Sequence, residues 1–132
     1  MKRDEMFDPG TRVDTGYVQL VLQYVKTGKT IEFPPLSCLT WQEDGREFIH
    51  CLEFDLIADG SNEREALTKL RDLIVEQVRS AQEEHTQLLH PAPQSYWDKF
   101  FEIHRNRLKQ AFLDTAPTRK DIKVRELALT HV

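Results

Sequence analysis

The sequence predicts an α+β fold, in which a small antiparallel sheet of three to four strands packs against a long helix. Two observations carry this prediction. Apolar and polar residues alternate from Arg46 to Asp59, and apolar residues recur at three- and four-residue steps directly after Gly60. Further patterns predict a second, C-terminal helix and a short final strand.

Three stretches rich in β-branched and aromatic residues precede Arg46, and we interpret them as strands. They are residues 17–25, 30–33 and 36–41. Gly28 marks a turn that lets the second stretch return antiparallel to the first. Pro34-Pro35 ends that pairing, because proline has no N–H to give to a ladder. Asp44-Gly45 predicts a tight turn, since both central positions of that turn need positive φ.

The stretch from Arg46 to Gly60 is expected to form one strand with two different faces. One face would carry Phe48, His50, Leu52, Phe54 and Leu56, and the other Ile49, Cys51, Glu53, Asp55 and Ile57. We therefore expect one face to be core and the other to be partly wet.

The helix after Gly60 is predicted from its cap and its apolar stripe. Asn62 and Glu65 have the spacing of a capping box. The stripe consists of Ala66, Leu67, Leu70, Leu73, Ile74, Val78 and Ala81. We expect this helix to continue to about His85.

A second helix is predicted over residues 95–113, after the break at Pro91-Ala92-Pro93. Its stripe contains Trp97, Phe101, His104, Leu108 and Phe112, and Tyr96, Phe100 and Ile103 widen it. The alternating tail 122–129 predicts the final strand. We expect a single domain over residues 1–132, with 1–16 as a loose arm and 93–132 as a C-terminal helix–strand extension.

The composition indicates a folded, soluble protein. The 132 residues are 39% hydrophobic and 30% charged, and no apolar run approaches the roughly 20 residues that cross a bilayer. The N-terminus has no apolar signal-peptide core, so we expect a cytoplasmic protein in which Cys38 and Cys51 are free buried thiols.

The charge of the chain is uneven. Residues 1–66 carry 7 Lys and Arg against 13 Asp and Glu, whereas residues 67–132 carry 11 against 9. The overall net charge of −4 disfavours nucleic-acid binding through the whole surface. An acidic half and a basic end favour attraction between subunits instead.

Three groups of residues could form a metal, catalytic or nucleic-acid-binding site, and each group also has a purely structural interpretation. Glu53 and Asp55, two apart on a strand, would share a face and could hold a divalent metal in a nucleic-acid enzyme, but we favour a solvated face, because no third carboxylate is specifically placed beside them. His50 would need a carboxylate partner to act, and it is otherwise a core histidine. The basic segment 99–125 has aromatic neighbours that could stack on single-stranded nucleic acid, but such spacing is usual for a core face.

The segment over about residues 46–85 resembles the HicB-like antitoxin family. The resemblance lies in the strand FIHCLEFD (48–55) followed by GSNEREAL (60–67). It implies a three-stranded antiparallel sheet crossed by a helix, in an oligomeric, non-catalytic protein that neutralises a small basic ribonuclease toxin. The family's usual C-terminal DNA-binding module is not evident in this sequence.

We therefore expect a HicB-like protein-binding and oligomerisation module, either antitoxin-like or an orphan regulator. The expected partners are a second copy in a homodimer and a small basic toxin-like protein, and no membrane. No catalytic residue, cofactor or metal ligand is predicted. The residues expected to bind the partner are Trp97, Phe101, His104, Arg105 and Leu108.

Overall fold

The computed structural model describes residues 15–115 and 118–123, and these form an α+β fold as predicted. The strands are β1 (Gly16–Leu20), β2 (Gln23–Lys26), β3 (Lys29–Glu32), β4 (Leu36–Glu43), β5 (Arg46–Cys51) and β6 (Leu56–Gly60). The helices are α1 (Glu63–Glu84) and α2 (Gln94–Thr115). Most of the predicted N-terminal arm (1–16) and of the predicted final strand (122–129) lies outside the described residues.

Four strands form the main sheet in the order β1-β4-β5-β6, and every neighbouring pair is antiparallel. The predicted strand 17–25 is in fact two strands. β1 pairs with β4, whereas β2 leaves the sheet and pairs only with β3. The predicted turn at Gly28 joins β2 to β3, and Gly28 has a φ of 75°.

The prediction of one strand from Arg46 to Gly60 is wrong. Residues 52–55 form a turn, so β5 and β6 are the two arms of a hairpin. The predicted core face is divided as a result: His50 and Leu52 lie toward α2, whereas Phe54 and Leu56 lie toward α1. The turn closes because Asp55 adopts a left-handed conformation with φ 54°, which aspartate tolerates better than most residues.

Each face of the sheet is covered by one helix. α1 lies over β5 and β6, and α2 lies against β1 and β4 on the opposite face. The α1 side buries Cys38, Ile49, Cys51, Phe54, Ala58, Ala66, Leu70 and Ile74. The α2 side buries Leu39, Trp41, Leu52, Ala92, Tyr96 and Phe100. The expected partly wet face is therefore also packed, because α1 covers Ile49 and Cys51.

The start of α1 confirms the predicted cap. The Asn62 side chain accepts a hydrogen bond from the Glu65 backbone N–H at 2.8 Å. Gly60 is required by close packing: a Cβ atom there would lie 2.6 Å from the Ala66 backbone nitrogen. The chain can therefore pass directly from β6 into α1 only if residue 60 has no side chain.

Candidate partner-binding surface on α2

The start of α2 is fixed by the turn between β5 and β6. The backbone N–H of Ala92 donates to the Leu52 carbonyl at 2.8 Å, and that of His90 donates to the Glu53 carbonyl at 3.2 Å. These bonds hold the segment before α2 against the end of β5. The direction of the helix across the sheet is set from this anchored end.

The inner face of α2 is built around aromatic rings. Tyr96 and Phe100 are each 2% exposed. The Phe100 ring meets Tyr17 of β1 edge-on at 5.3 Å, and Nδ1 of His104 lies 3.1 Å from the Tyr17 hydroxyl oxygen. The Arg107 guanidinium lies 5.4 Å from the centre of the Tyr17 ring. Tyr17 therefore anchors the middle of the helix to the sheet.

A second apolar stripe runs along α2 beside this buried face; it is partly buried at its start, Trp97, and exposed beyond it. We call it the outer stripe, and it consists of Trp97, Phe101, Leu108 and Phe112. At about 3.6 residues per turn these four side chains share one side of the helix. Phe101, Leu108 and Phe112 are each 52% exposed. Such a row of large exposed apolar groups is unusual for a surface that stays in water.

The first half of the outer stripe is held in place by its neighbours. The Trp97 indole N–H donates to the Ala92 carbonyl at 3.1 Å. The Trp97 ring stacks on Phe101, with ring centres 6.2 Å apart. These contacts within the chain hold the two aromatic rings in place.

The second half of α2 extends past the buried inner face, although Arg107 still contacts the Tyr17 ring. Every residue from 105 to 115 is exposed. Half a helix of this kind has little intrinsic stability in water, because helical stability in proteins comes mainly from packing of an apolar face. Leu108 and Phe112 are therefore half-exposed on a part of the helix that the sheet does not cover.

Charged residues flank the outer stripe in a fixed order. Asp98 and Glu102 lie on the flank of the first half, and Arg105 and Lys109 on the same flank of the second half. All four residues are exposed. This flank of α2 is therefore acidic toward the N-terminus and basic toward the C-terminus.

Four of the five predicted partner-binding residues lie on or beside this surface. Trp97, Phe101 and Leu108 belong to the outer stripe, and Arg105 lies on its flank. His104 instead turns inward to Tyr17 and is only partly exposed. Tyr17 was not among the predicted site residues, because nothing in the sequence relates β1 to a helix more than 80 residues later.

Glu53 and Asp55 do not share a strand face, because both lie in the turn between β5 and β6. Both carboxylate oxygens of Glu53 accept from the Ser37 backbone N–H, at 2.8 and 3.0 Å. Asp55 Oδ1 lies 2.7 Å from Nε2 of the fully buried His50. Within the described residues, no three His, Cys, Asp or Glu side chains come together as a metal site would need. The two carboxylates thus serve the turn.

His50 has the carboxylate partner that a catalytic role would require, but its surroundings are those of a core residue. Its side chain has no exposed surface, and the Tyr96 ring covers it edge-on at 5.0 Å. A substrate could not reach the imidazole without displacing α2. The His50–Asp55 pair therefore acts as a link between β5, the turn and the helix.

The hairpin of β2 and β3 is a second exposed apolar feature. Its residues are all exposed, and neither strand packs on another described element. Tyr24 and Ile31 lie opposite each other on one face, 47% and 53% exposed. Phe33 extends this face toward the sheet through its backbone bond to the Leu22 carbonyl.

The predicted basic segment is only partly a basic surface. Arg105, Arg107 and Lys109 project from α2 together with Asp98 and Glu102. Of these cations, Arg107 is already placed over the Tyr17 ring. Arg125 lies outside the described residues.

Comparison with known proteins gives no relative for this chain. No family model, no curated protein and no solved structure matches it. Among the described residues, neither helix has the length and apolar character that crossing a bilayer would require. The HicB-like resemblance of residues 46–85 thus rests on the residues of that segment.

Proposed function

We propose that this protein is a non-enzymatic, HicB-like protein-binding and oligomerisation module whose contact surface is the outer stripe of α2. The observation that carries the proposal is the half-exposed row of Phe101, Leu108 and Phe112, which continues past the part of α2 that packs on the sheet. Large apolar side chains in a continuous row are the usual energetic centre of a protein interface.

The energetics favour a protein partner for this row. Burying a large apolar side chain contributes about 1.5–3 kcal/mol relative to full exposure. A half-exposed side chain retains roughly half of that amount for binding, so three of them and Trp97 supply several kcal/mol together. The Trp97 and Phe101 rings are already stacked within the chain, so they present a fixed shape that a partner can complement.

The resemblance to HicB-like antitoxins adds an expected class of partner, a small basic protein. Residues 1–66 carry a net charge of −6, from 7 Lys and Arg against 13 Asp and Glu. An acidic half of this kind attracts a basic partner and accelerates its encounter. The proposal includes the role of an antitoxin-like protein or of an orphan regulator, acting in the cytoplasm.

The test is the mass of the assemblies that the protein forms in solution. Light scattering after gel filtration would be run on the purified chain alone and on the chain mixed with the product of a small basic reading frame beside its gene. We expect an assembly larger than the monomer in at least one sample. Leu108→Glu should reduce it, because a carboxylate would enter the apolar contact.

Leu113→Glu is the matched control. Leu113 is 64% exposed, more than Leu108, but it lies on another side of the helix. It should leave the assembly intact. A monomer in both samples, or an assembly that is insensitive to Leu108→Glu, would contradict the proposal.

A further inference from the structure

We infer that the outer stripe is covered by α2 of a second copy of this chain, packed antiparallel about a two-fold axis that passes near His104 and Arg105. This inference rests on the proposed function and names the partner of the same surface. It is carried by two independent patterns on α2, one apolar and one charged. Each becomes complementary to itself when the helix is reversed.

The apolar pattern is symmetric about one point. The midpoint between Trp97 and Phe112 falls between residues 104 and 105, and the midpoint between Phe101 and Leu108 falls at the same place. When the helix is reversed about that point, Trp97 lies against Phe112 of the second copy and Phe101 against its Leu108. An isologous dimer requires such a self-complementary row.

The charged pattern selects the antiparallel arrangement. The reversed helix brings Glu102 near Arg105 of the second copy, and Asp98 near its Lys109. The midpoints of these two pairs coincide with each other and lie within one residue of the apolar midpoint. A parallel two-fold pair would instead place this flank on opposite sides of the contact, so that neither charged pair could form.

The arrangement also accounts for the projecting half of α2. Residues 105–115 are exposed in the single chain. In the antiparallel dimer they would lie over Trp97 and Phe101 of the partner, of which Trp97 packs on the core of its own chain. Each helix then covers the exposed outer stripe of the other. The 22 residues of α2 give about 33 Å of helix for this contact.

The first experiment is sedimentation equilibrium of the full chain with single and paired charge reversals. Wild type should be dimeric. Glu102→Arg and Arg105→Glu should each weaken the dimer by about tenfold, since each puts like charges together twice per dimer. The double variant should regain most of the wild-type affinity, because it restores both pairs with the signs exchanged.

Asn106→Glu is the control for adding a charge to this helix. Asn106 is exposed and lies on the side away from the outer stripe. It should leave the dimer unchanged. Circular dichroism of each variant establishes that the helix content is retained, so that a lost dimer is not a lost fold.

The orientation is tested by crosslinking. Chains carrying Asp98→Cys, mixed with chains carrying Lys109→Cys and mildly oxidised, should form a mixed disulfide dimer. The native Cys38 and Cys51 are both buried and should not react under native conditions. Crosslinking of Asp98→Cys chains to one another would overturn the inference, because the antiparallel arrangement separates the two Asp98 positions by about 20 Å along the helix.

Two further results would overturn the inference. One is a wild-type chain that is monomeric at all concentrations, and the other is a double charge variant whose dimer is no tighter than those of the single variants. If that monomer nevertheless formed a complex with the small basic protein, sensitive to Leu108→Glu, the proposed function would stand and the occupant would be the basic protein.

Discussion

Cys38 on β4 lies directly opposite Cys51 on β5, in a position where the two backbones do not exchange hydrogen bonds. The register pairs the two cysteines, and the neighbouring Leu52 N–H donates to the Ser37 carbonyl at 2.9 Å. Because hydrogen-bonded and non-hydrogen-bonded pairs alternate along an antiparallel ladder, the cysteine pair is of the second kind. Such a pair brings its Cα atoms to about 4.5 Å, within the range of a disulfide.

Oxidised glutathione is therefore expected to join Cys38 and Cys51 when mild denaturant opens the sheet. The two thiols give up two hydrogens and glutathione disulfide is reduced to two thiols, so the intact chain loses about 2 Da. The closed loop is short, and the disulfide should raise the free energy of unfolding by about 3 kcal/mol at most. Mass spectrometry of the peptides measures it, and Cys38→Ser removes the product.

The native thiols should resist the same reaction without denaturant. A hydrogen bond with the Cys51 thiol, burial and the nearby Glu53 carboxylate all raise the pKa of Cys38. A neutral thiol is a poor nucleophile, and burial keeps reagents away from both Cys38 and Cys51. Rapid labelling of the folded protein by a thiol reagent at neutral pH would contradict this expectation.

Gly60→Ala should destabilise the protein strongly. The added Cβ would lie 2.6 Å from the Ala66 nitrogen and 2.8 Å from the Glu65 Cβ, so β6 and α1 would have to separate. Overpacking of this kind costs about 1–3 kcal/mol, which urea denaturation measures. Gly45→Asn is the control. Gly45 has φ 74° and open space around it, and asparagine tolerates that conformation.

Loss of the Asp55 carboxylate should destabilise the link between the turn and α2. Asp55→Ala removes the 2.7 Å contact to a buried imidazole and leaves alanine in a left-handed conformation. We expect a loss of about 1–3 kcal/mol in the free energy of unfolding. Asp55→Asn keeps the polar contact and the backbone preference, so it should lose less. Equal losses for the two variants would argue against the contact.

Divalent metals should not stabilise the protein through Glu53. The Glu53 carboxylate is occupied by the Ser37 N–H, so Mg²⁺ or Mn²⁺ should leave the thermal midpoint unchanged. Glu53→Ala should lower the midpoint without any metal, since it leaves a partly buried N–H unbonded. A midpoint that rises with metal in wild type, but not in Glu53→Ala, would favour the metal-dependent enzyme instead.

The cap of α1 should weaken in acid. The Ser61 hydroxyl donates to Glu65 at 2.6 Å, and this bond together with Lys69 lowers the pKa of Glu65. A lowered folded pKa stabilises the helix above the ordinary glutamate value of about 4.3, and this contribution disappears as the pH falls through the folded pKa. Carbon NMR titration should show a larger upward shift of the pKa in Ser61→Ala than in Lys69→Met.

The elements with an explicit local signal were predictable from the sequence. Asp44-Gly45 makes the expected tight turn, with φ 51° and 74°. Asn62 caps α1 as its spacing with Glu65 indicated. In each case the backbone conformation or hydrogen bond depends on residues only a few positions apart, so that local chemistry decides the structure.

The two missed strand breaks have no such signal. Val21 and Leu22 interrupt β1 and β2 without glycine, proline or asparagine, and tertiary pairing of β1 with β4 decides the break. In the turn after β5, Leu52 and Phe54 continue the alternation of apolar residues. The turn instead depends on bonds to Ser37, His90 and Ala92, which are distant in sequence.

The faces of α2 were ambiguous for a related reason. The helix is apolar over more than one side, so periodicity identifies the helix but not which apolar side faces the sheet. Tyr96 and Phe100, expected only to widen the stripe, form the buried face of the helix. The predicted stripe, apart from His104, is the outer one. The contact with Tyr17 selects between them.

The docking of α2 on β1 joins residues 87 apart in the chain, whereas β4, β5, β6 and α1 are consecutive. Loop closure costs more entropy over the longer separation, so we expect β4 to α1 to fold first and α2 to dock last. The element that docks last should also detach first, so α2 should separate from the sheet more often than the whole chain unfolds. Native-state hydrogen exchange should therefore show lower protection for the backbone amides of α2 than for those of the β4–α1 segment.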